Sequence, residues 1–123
     1  MLSHRFAVRL TQIDYDREMA LVALENDTVL GIARFSSDPD REKAEYAVAV
    51  RTDWHGRGVG YLLMTRLIEV ARQWGIVELV GDVLRDNKPM LAMCRELGFV
   101  LIHDASDASV LRVKKQLDPQ REI

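Results

Sequence analysis

The segment whose residues are best suited to chemistry runs from Asp53 to Gly60 and carries glycine at positions 56, 58 and 60. It lies between a strand candidate, Ala44–Val50, and a helical pattern, Tyr61–Trp74. Glycine lets the backbone approach a ligand closely, and successive N–H groups in such a turn form a concave site for anions. A helix N-terminus adds N–H groups without intrahelical partners. The segment therefore predicts a phosphate-binding turn, with a plain turn into a helix as the alternative.

Two familiar phosphate loops do not fit this segment. The dinucleotide-binding fingerprint needs a glycine three places after its second glycine, where this chain has Tyr61. A Walker A loop needs glycine, then lysine, then serine or threonine, and the segment lacks that order. Any phosphate bound here would need another kind of loop.

A carboxylate precedes the glycine segment. Glu45 is the only acidic residue within Ala44–Val50. By strand alternation it shares a face with Ala47 and Ala49, whose small side chains leave room for a substrate. We interpret Glu45 as a candidate general base. The alternative is an exposed glutamate that continues the charged run of residues 41–43.

Composition narrows the class of protein. The chain has 123 residues, 48% hydrophobic and 29% charged, which predicts one folded domain over residues 1–123 rather than disorder. A net charge of -2 gives no reason to expect nucleic-acid binding. The single cysteine, Cys94, excludes an internal disulfide and fits a reducing compartment. No secretory signal pattern and no apolar run of membrane-spanning length is found, so we expect a cytoplasmic protein without a membrane partner.

The apolar patterns predict a mixed α/β (α+β) domain in the order β-β-β-α-β-α-β-β. Residues 11–18 are predicted to form a turn or a short helical segment. Gly75 and Gly98 are placed to end the two helices. The connection from Ala44–Val50 to the next strand is expected to be a parallel, right-handed crossover in an otherwise mainly antiparallel sheet. The predicted strands are 19–24, 29–35, 44–50, 76–84, 99–102 and 109–113, and the predicted helices are 61–74 and 88–97.

With this order, the chain resembles the GNAT-type N-acetyltransferases from roughly residue 11 to 117. The segment from His55 to Gly60 is similar to the coenzyme A loop of that family, Gln/Arg-x-x-Gly-x-Gly/Ala, with His55 at the usual Gln/Arg position. Asn87-x-x-Met90-Leu91, leading to Leu97-Gly98-Phe99, resembles the second coenzyme A motif. The fold that this resemblance implies is shortened at its N-terminus, because family members usually begin with a strand and helical segments before the first hairpin.

Two stretches, Leu10–Leu21 and Asp53–Gly58, are similar to one branch of the family. In that branch the GNAT domain is fused to an ADP-forming acyl-CoA-synthetase-like region and acetylates protein lysines. The resemblance implies an acetyl-CoA-dependent N-acetyltransferase that uses no metal. A small amine as acceptor remains an alternative, as does an acyl-CoA-binding sensor module without turnover.

The resemblance also assigns roles to residues. It makes Glu45 the catalytic base and implies that Asn87 hydrogen-bonds the coenzyme, although simple helix capping would also explain an asparagine there. Cys94 stands where many family members carry a tyrosine that protonates the leaving thiolate, and we interpret it as a small core residue. The implied backbone partners of the pantetheine arm are Val48, Ala49 and Val50, and the implied phosphate loop is His55, Gly56, Arg57, Gly58, Val59 and Gly60.

The N-terminus suggests a partner chain. If the family's first strand is absent, the strand at residues 19–24 exposes an apolar edge, which invites pairing with another chain. We therefore expect a homodimer or a covering partner.

Overall fold

The structure, a computed structural model that describes residues 8–103 and 107–117, contains seven strands and two α-helices within those ranges. The helices are α1 (Val59–Gln73) and α2 (Lys88–Glu96). The strands are β1 (Arg9–Asp14), β2 (Glu18–Glu25), β3 (Thr28–Ser37), β4 (Lys43–Val50), β5 (Glu78–Leu84), β6 (Val100–His103) and β7 (Val110–Gln116).

All seven strands form one sheet in the order β1-β2-β3-β4-β5-β7-β6. Only β4 and β5 pair in parallel, through the crossover that contains α1, and the other neighbours are antiparallel. The expected mixed, mainly antiparallel sheet with one parallel βαβ unit is confirmed.

Local sequence explains where the helices begin and end. Gly58 adopts φ +85° immediately before α1, and Gly75 adopts φ +79° just after it. Asn87 caps α2 by accepting a 3.3 Å hydrogen bond from the Met90 N–H. Gly98, with φ +91°, follows the end of α2. These left-handed conformations suit glycine because it has no Cβ.

Both helices cover the same face of the sheet. Gly31 pairs with Val50, and Phe35 pairs with Tyr46, so these residues project to one side. Leu63 of α1 packs against Gly31, and Cys94 of α2 contacts Tyr46 on that side. Apolar residues buried between the helices and this helix-covered face form the core. The opposite face, the open face, carries Glu45, Ala47 and Ala49, all exposed.

The N-terminal prediction is wrong. Residues 11–18 were expected to form a turn or short helix, but β1 occupies residues 9–14 and pairs with β2 along its whole length. The pattern was misleading because β1 is largely exposed and polar, so its backbone pairing, not its apolar content, makes it a strand. The edge of β2 is therefore covered, which removes the reason for expecting a homodimer; the dimer itself stays a prediction.

The other predicted elements are present, with boundaries shifted by a few residues. Helix α1 starts two residues earlier than expected, so Val59 and Gly60 belong to its first turn. Part of the connection between the last two predicted strands, residues 104–106, lies outside the described residues. Neither described helix combines the length and apolarity that a membrane crossing requires.

Candidate active site

A cleft opens where β4 and β5 separate. Their parallel pairing joins Lys43 to Glu78 and ends at Glu45 opposite Val80. Within the described residues, the later parts of the two strands share no pairing, so the gap widens toward their C-terminal ends. The resulting cleft has a volume of about 330 Å³, and its lining is Glu45, Tyr46, Ala47, Val48, Asp82, Val83, Leu84, Asn87 and Met90.

The glycine segment lies at the wide end of this cleft, directly after β4. Gly56 and Gly58 both adopt positive φ, near +79° and +85°. The Leu62 N–H donates to the Gly58 carbonyl at 3.0 Å, as the first bond of α1. Helix geometry therefore leaves the three preceding N–H groups, from Val59 to Tyr61, without partners inside the helix. No side chain caps this helix start. The arrangement is a backbone site suited to an anion.

Two side chains of the loop are engaged within the loop itself. Nε2 of His55 lies 2.9 Å from the Val50 carbonyl oxygen and ties the loop to the end of β4. The Arg57 guanidinium lies 4.9 Å from the ring centroid of Trp54, at cation–π distance. In this conformation the backbone is the part of the loop best suited to an anion, and Arg57 remains exposed at the surface.

Val48, Ala49 and Val50 lie on the part of β4 that has no β5 partner. The side chains of Val48 and Val50 are half-buried on the helix-covered face, whereas Ala49 is exposed on the open face. Because β3 pairs with the other edge of β4, alternate backbone groups of this stretch point toward the cleft. Asn87 lines the wide end of the same cleft while it caps α2.

Glu45 lies at the narrow end of the cleft, which we call the apex, and faces the open side of the sheet. Its Oε2 accepts a 3.1 Å hydrogen bond from Arg112, which also donates to Asp82 at 2.8 Å. The carboxylates are more than half exposed, at 61% and 52%. Among the described residues, Oε1 of Glu45 has no hydrogen-bond partner. Partial burial lowers the pKa of Arg112, but its bonds to Glu45 and Asp82 outweigh that effect and raise the pKa overall.

Tyr46, the next residue along β4, lies on the other side of the apex. Its ring packs over Gly81, where a Cβ atom would approach the ring to 2.3 Å. Its hydroxyl is 3.4 Å from Sγ of Cys94. Burial raises the pKa of Tyr46 above its ordinary value, and the hydrogen bond with Cys94 raises it further. Cys94 is fully buried, as expected of a core residue, and burial raises the pKa of its thiol as well.

Three residues at the apex were not predicted from the sequence: Tyr46, Asp82 and Arg112. Arg112 is distant in sequence from Glu45, and only the antiparallel register of β5 and β7, which places Asp82 opposite Arg112, brings it to the site. Tyr46 could have been found from the sequence, because it directly follows the candidate base Glu45. Strand alternation then places its phenol on the other side of β4. Within the described ranges no group of three metal-ligating side chains comes together.

Comparison with known proteins agrees with this geometry. The sequence profile described as the acetyltransferase (GNAT) family matches residues 3–99. An acetyltransferase of Pseudomonas aeruginosa is 33% identical over 105 residues, which cover 82% of this chain and 56% of that protein. The L-amino acid N-acyltransferase MnaT of Escherichia coli is 38% identical over 85 residues, 66% of this chain and 49% of the relative.

A third relative is the acetyltransferase Pat of Mycolicibacterium smegmatis. It is 31% identical over 113 residues, which cover 89% of this chain and 33% of Pat. The chain thus spans about half, or less, of the length of these three relatives.

Solved structures show the same fold. The GNAT domain of S. lividans PAT matches with a TM-score of 0.74 and 23% identity, over 85% of this chain and 64% of that one. The acetyltransferase yncA of Salmonella typhimurium, solved with its cofactor acetyl-CoA, matches with a TM-score of 0.71 and 28% identity, over 85% of this chain and 68% of that one. By profile, relatives and fold, the chain belongs to the acetyltransferase (GNAT) family.

Proposed function

We propose that this chain is an N-acetyltransferase that transfers acetyl directly from acetyl-CoA to an amine, with a protein lysine as the acceptor. The observation that carries the proposal is the separation of β4 from β5 immediately after Glu45. This separation creates a cleft that joins an anion-binding loop at its wide end to a carboxylate at its apex.

The residues present fit the coenzyme. The backbone of the loop from His55 to Gly60 suits a pyrophosphate, because the helix start has no side-chain cap and the glycines leave the N–H groups accessible. From Val50 back to Glu45, β4 spans on the order of 16 Å of extended backbone, a path that a long arm can follow. Val48, Ala49 and Val50 would offer it backbone hydrogen bonds, as an added strand does. Asn87 would hydrogen-bond the same arm from α2.

Glu45 supplies the base in this proposal. Lysine is mostly protonated at neutral pH, so it must lose a proton before its nitrogen can attack the thioester carbonyl. Glu45 is exposed on the open face and has one carboxylate oxygen free of described partners, so an amine arriving from that side meets it. The ion pair with Arg112 fixes the orientation of the carboxylate. As the new C–N bond forms, backbone N–H groups of β4 stabilise the charge on the carbonyl oxygen.

A protein lysine is favoured by the openness of the acceptor side. Glu45 is exposed and flanked by exposed residues of β3, such as Arg34 and Ser36, so a side chain on a large partner can reach the apex. The 31% identity to Pat over nearly the whole chain supports the resemblance to the protein-acetylating branch. Fusion to an acyl-CoA-synthetase-like region and a cytoplasmic location belong to this proposal and stay predictions.

One specific observation favours a second candidate, acetylation of a small amine. A relative named as an L-amino acid N-acyltransferase is 38% identical over two thirds of this chain. A sensor that binds acyl-CoA without turnover is opposed by Glu45, because a binding module has no need for a carboxylate at the apex. The three candidate functions differ in the acceptor and in whether acetyl is transferred at all. One experiment can measure both.

The experiment is acetyl transfer followed by mass spectrometry. The purified chain and Glu45→Gln are each incubated with acetyl-CoA and a cell lysate, and both protein lysines and small amines are monitored. We expect lysine acetylation above the non-enzymatic background and a loss of roughly 100-fold or more in turnover for Glu45→Gln, the range for removal of a general base. Calorimetry should show unchanged affinity of the variant for acetyl-CoA.

Glu69→Gln is the matched control, since Glu69 is an exposed glutamate on α1 that pairs with Arg66, away from the cleft. It should behave as wild type. Acetylation of small amines alone would move the assignment to the second candidate. Binding without any transfer would indicate the sensor, and full turnover by Glu45→Gln would remove Glu45 from the mechanism.

A further inference from the structure

The apex of the cleft holds two adjacent side chains that face opposite sides of the sheet. Glu45 projects to the open face, and Tyr46 projects to the helix-covered face. Both line the same cleft. On the helix-covered side the cleft is bounded by Met90 of α2 and by Asn87, which caps that helix, and α1 begins beyond the wide end of the cleft. The coenzyme and the amine therefore have separate sides from which to approach, with Tyr46 on the side of the coenzyme.

The hydroxyl of Tyr46 has a weak partner. Its one hydrogen bond among the described residues joins it to Sγ of Cys94, at 3.4 Å. A thiol is both a poor donor and a poor acceptor, so a buried phenol in this position retains much of its capacity to donate. A hydrogen bond to an anion is roughly twice as strong as one between neutral groups. An anionic sulfur arriving at the apex would thus be a better partner than Cys94.

We propose that Tyr46 stabilises the leaving sulfur of the coenzyme, by donating a hydrogen bond to it as the C–S bond breaks. This inference rests on the proposed acetyl transfer and adds a second reacting group to it. The Tyr46 hydroxyl reaches from β4 to α2, where the small side chain of Cys94 lies against it.

The amine nitrogen forms a bond to the carbonyl carbon, the C–S bond breaks, and its electron pair stays on sulfur. A protonated amine loses two protons, one before the attack and one as the C–N bond forms, and Glu45 takes each in turn and passes it to water. Burial raises the pKa of Tyr46, so its proton stays on the phenol oxygen and the hydroxyl acts as a hydrogen-bond donor. The thiolate then takes its proton from water after release.

Few other groups can play this part. Of the described side chains that line the cleft, only Tyr46 and Asn87 carry a neutral donor, because the rest are carboxylates or apolar. Asn87 follows β5 and lies at the wide end, whereas Tyr46 lies beside Glu45 at the last paired position of the strands. The packing of the Tyr46 ring over Gly81 holds the hydroxyl there.

The test is Tyr46→Phe, which removes the hydroxyl and keeps the ring. We expect kcat with acetyl-CoA to fall roughly 10- to 100-fold, with KM for acetyl-CoA within about twofold. Replacing the thioester by the selenoester of the same coenzyme provides a readout that a structural role would not move. Because a selenol is more acidic than a thiol, it leaves with less assistance, and the deficit of Tyr46→Phe should shrink to about threefold or less.

Tyr15→Phe, which removes a hydroxyl from an exposed tyrosine between β1 and β2, is the matched control and should leave both rates unchanged. Three results would overturn the inference: a kcat within twofold of wild type, an effect confined to KM, or an equal deficit with both donors. A wild-type chain that transfers no acetyl would overturn the proposed function as well, whereas transfer by wild type and variant alike would remove only Tyr46.

Discussion

At the apex, the two sides of the sheet are held together by different interactions, although Glu45 and Tyr46 are neighbours in the chain. On the helix-covered side, Tyr46, Gly81 and Cys94 form a buried, uncharged contact in which a ring fills the space above a glycine. On the open side, Glu45 and Asp82 share Arg112 in an exposed ion-pair network. The first is held by packing, and the second is held by charge in contact with water.

This difference separates what each side contributes. Exposed ion pairs contribute little to stability, typically about 0–1 kcal/mol, so the open side is free to exchange partners with an incoming amine. A close-packed contact resists displacement, because small changes in volume are felt by its neighbours. Substitutions that change volume on the helix-covered side should therefore change folding, and substitutions that remove charge on the open side should change turnover.

The largest effect is expected from Gly81→Ala. The new Cβ would lie 2.3 Å from one carbon of the Tyr46 ring and 2.7 Å from two others. The ring cannot easily move away, since it also packs against Phe99, with centroids 5.6 Å apart, and against Cys94. We expect the free energy of unfolding to fall by about 1–3 kcal/mol, the usual range for overpacking. Urea denaturation followed by circular dichroism measures it.

Ala47→Val is the control on the open side, where an exposed residue of β4 gains volume without a buried neighbour. Its effect on stability should stay within about 0.5 kcal/mol. Equal stability of Gly81→Ala and wild type would show that the Tyr46 ring is not fixed, and the contrast between packed and open sides would fail with it.

The fold was largely predictable from the sequence because its main elements have strong local signals. The signals that mark the helices each lie within a few residues of them: the apolar stripe of α1, Gly75 after that helix and Asn87 before α2. Strand β1 could not be predicted, because its residues are mostly polar and exposed. It is a strand only because its backbone pairs with β2. Local patterns predict elements that bury their side chains better than elements held by pairing alone.

The site divides in the same way. The glycine loop and Glu45 could be identified from residues that are neighbours in the chain. The ion pair between Arg112 and Glu45 joins residues 67 positions apart, and the contact between Tyr46 and Cys94 joins residues 48 apart. Such contacts depend on strand order and register, which the sequence patterns do not specify.

A smaller effect is expected from Arg112→Ala, on turnover rather than stability. Without the guanidinium, Glu45 loses the contact that orients it, and Asp82 becomes an unshielded like charge on the same face. If the ion pair lowers the activation barrier by up to about 1 kcal/mol, its loss reduces turnover by up to about fivefold. The free energy of unfolding should change by less than about 1 kcal/mol. Steady-state kinetics and urea denaturation of the same preparation separate the two.

Lys114→Ala is its control, because Lys114 lies on the same strand and the same face but pairs with Glu78, 3.5 Å away. It should leave turnover unchanged. A loss of turnover in both variants would indicate a general effect of positive charge on this face. Large destabilisation by Arg112→Ala would mean that the open side is held as firmly as the helix-covered side.

The smallest effect is a loss of stability at alkaline pH that arises on the helix-covered side. The pKa of Cys94 is raised above the ordinary thiol value of 9.0 in the folded chain by burial, which the hydrogen bond with Tyr46 only partly opposes. Above pH 9 the unfolded chain therefore loses the thiol proton while the folded chain keeps it. Because the unfolded state then binds fewer protons, the free energy of unfolding falls as pH rises. The contribution is fully present below pH 9 and is lost as pH rises through the folded pKa.

Urea midpoints at pH 7 and pH 10, under reducing conditions, measure this loss in wild type and in Cys94→Ser. The serine hydroxyl can still hydrogen-bond Tyr46 but does not ionise in this range, so the variant should lose less stability between the two pH values. The remaining loss in the variant includes that of Tyr46, whose raised pKa has the same sign of effect above its ordinary value of 10.0. An equal loss in both proteins would mean that Cys94 reaches water in the folded chain, and the helix-covered side would then be as open to solvent as the side that carries Glu45.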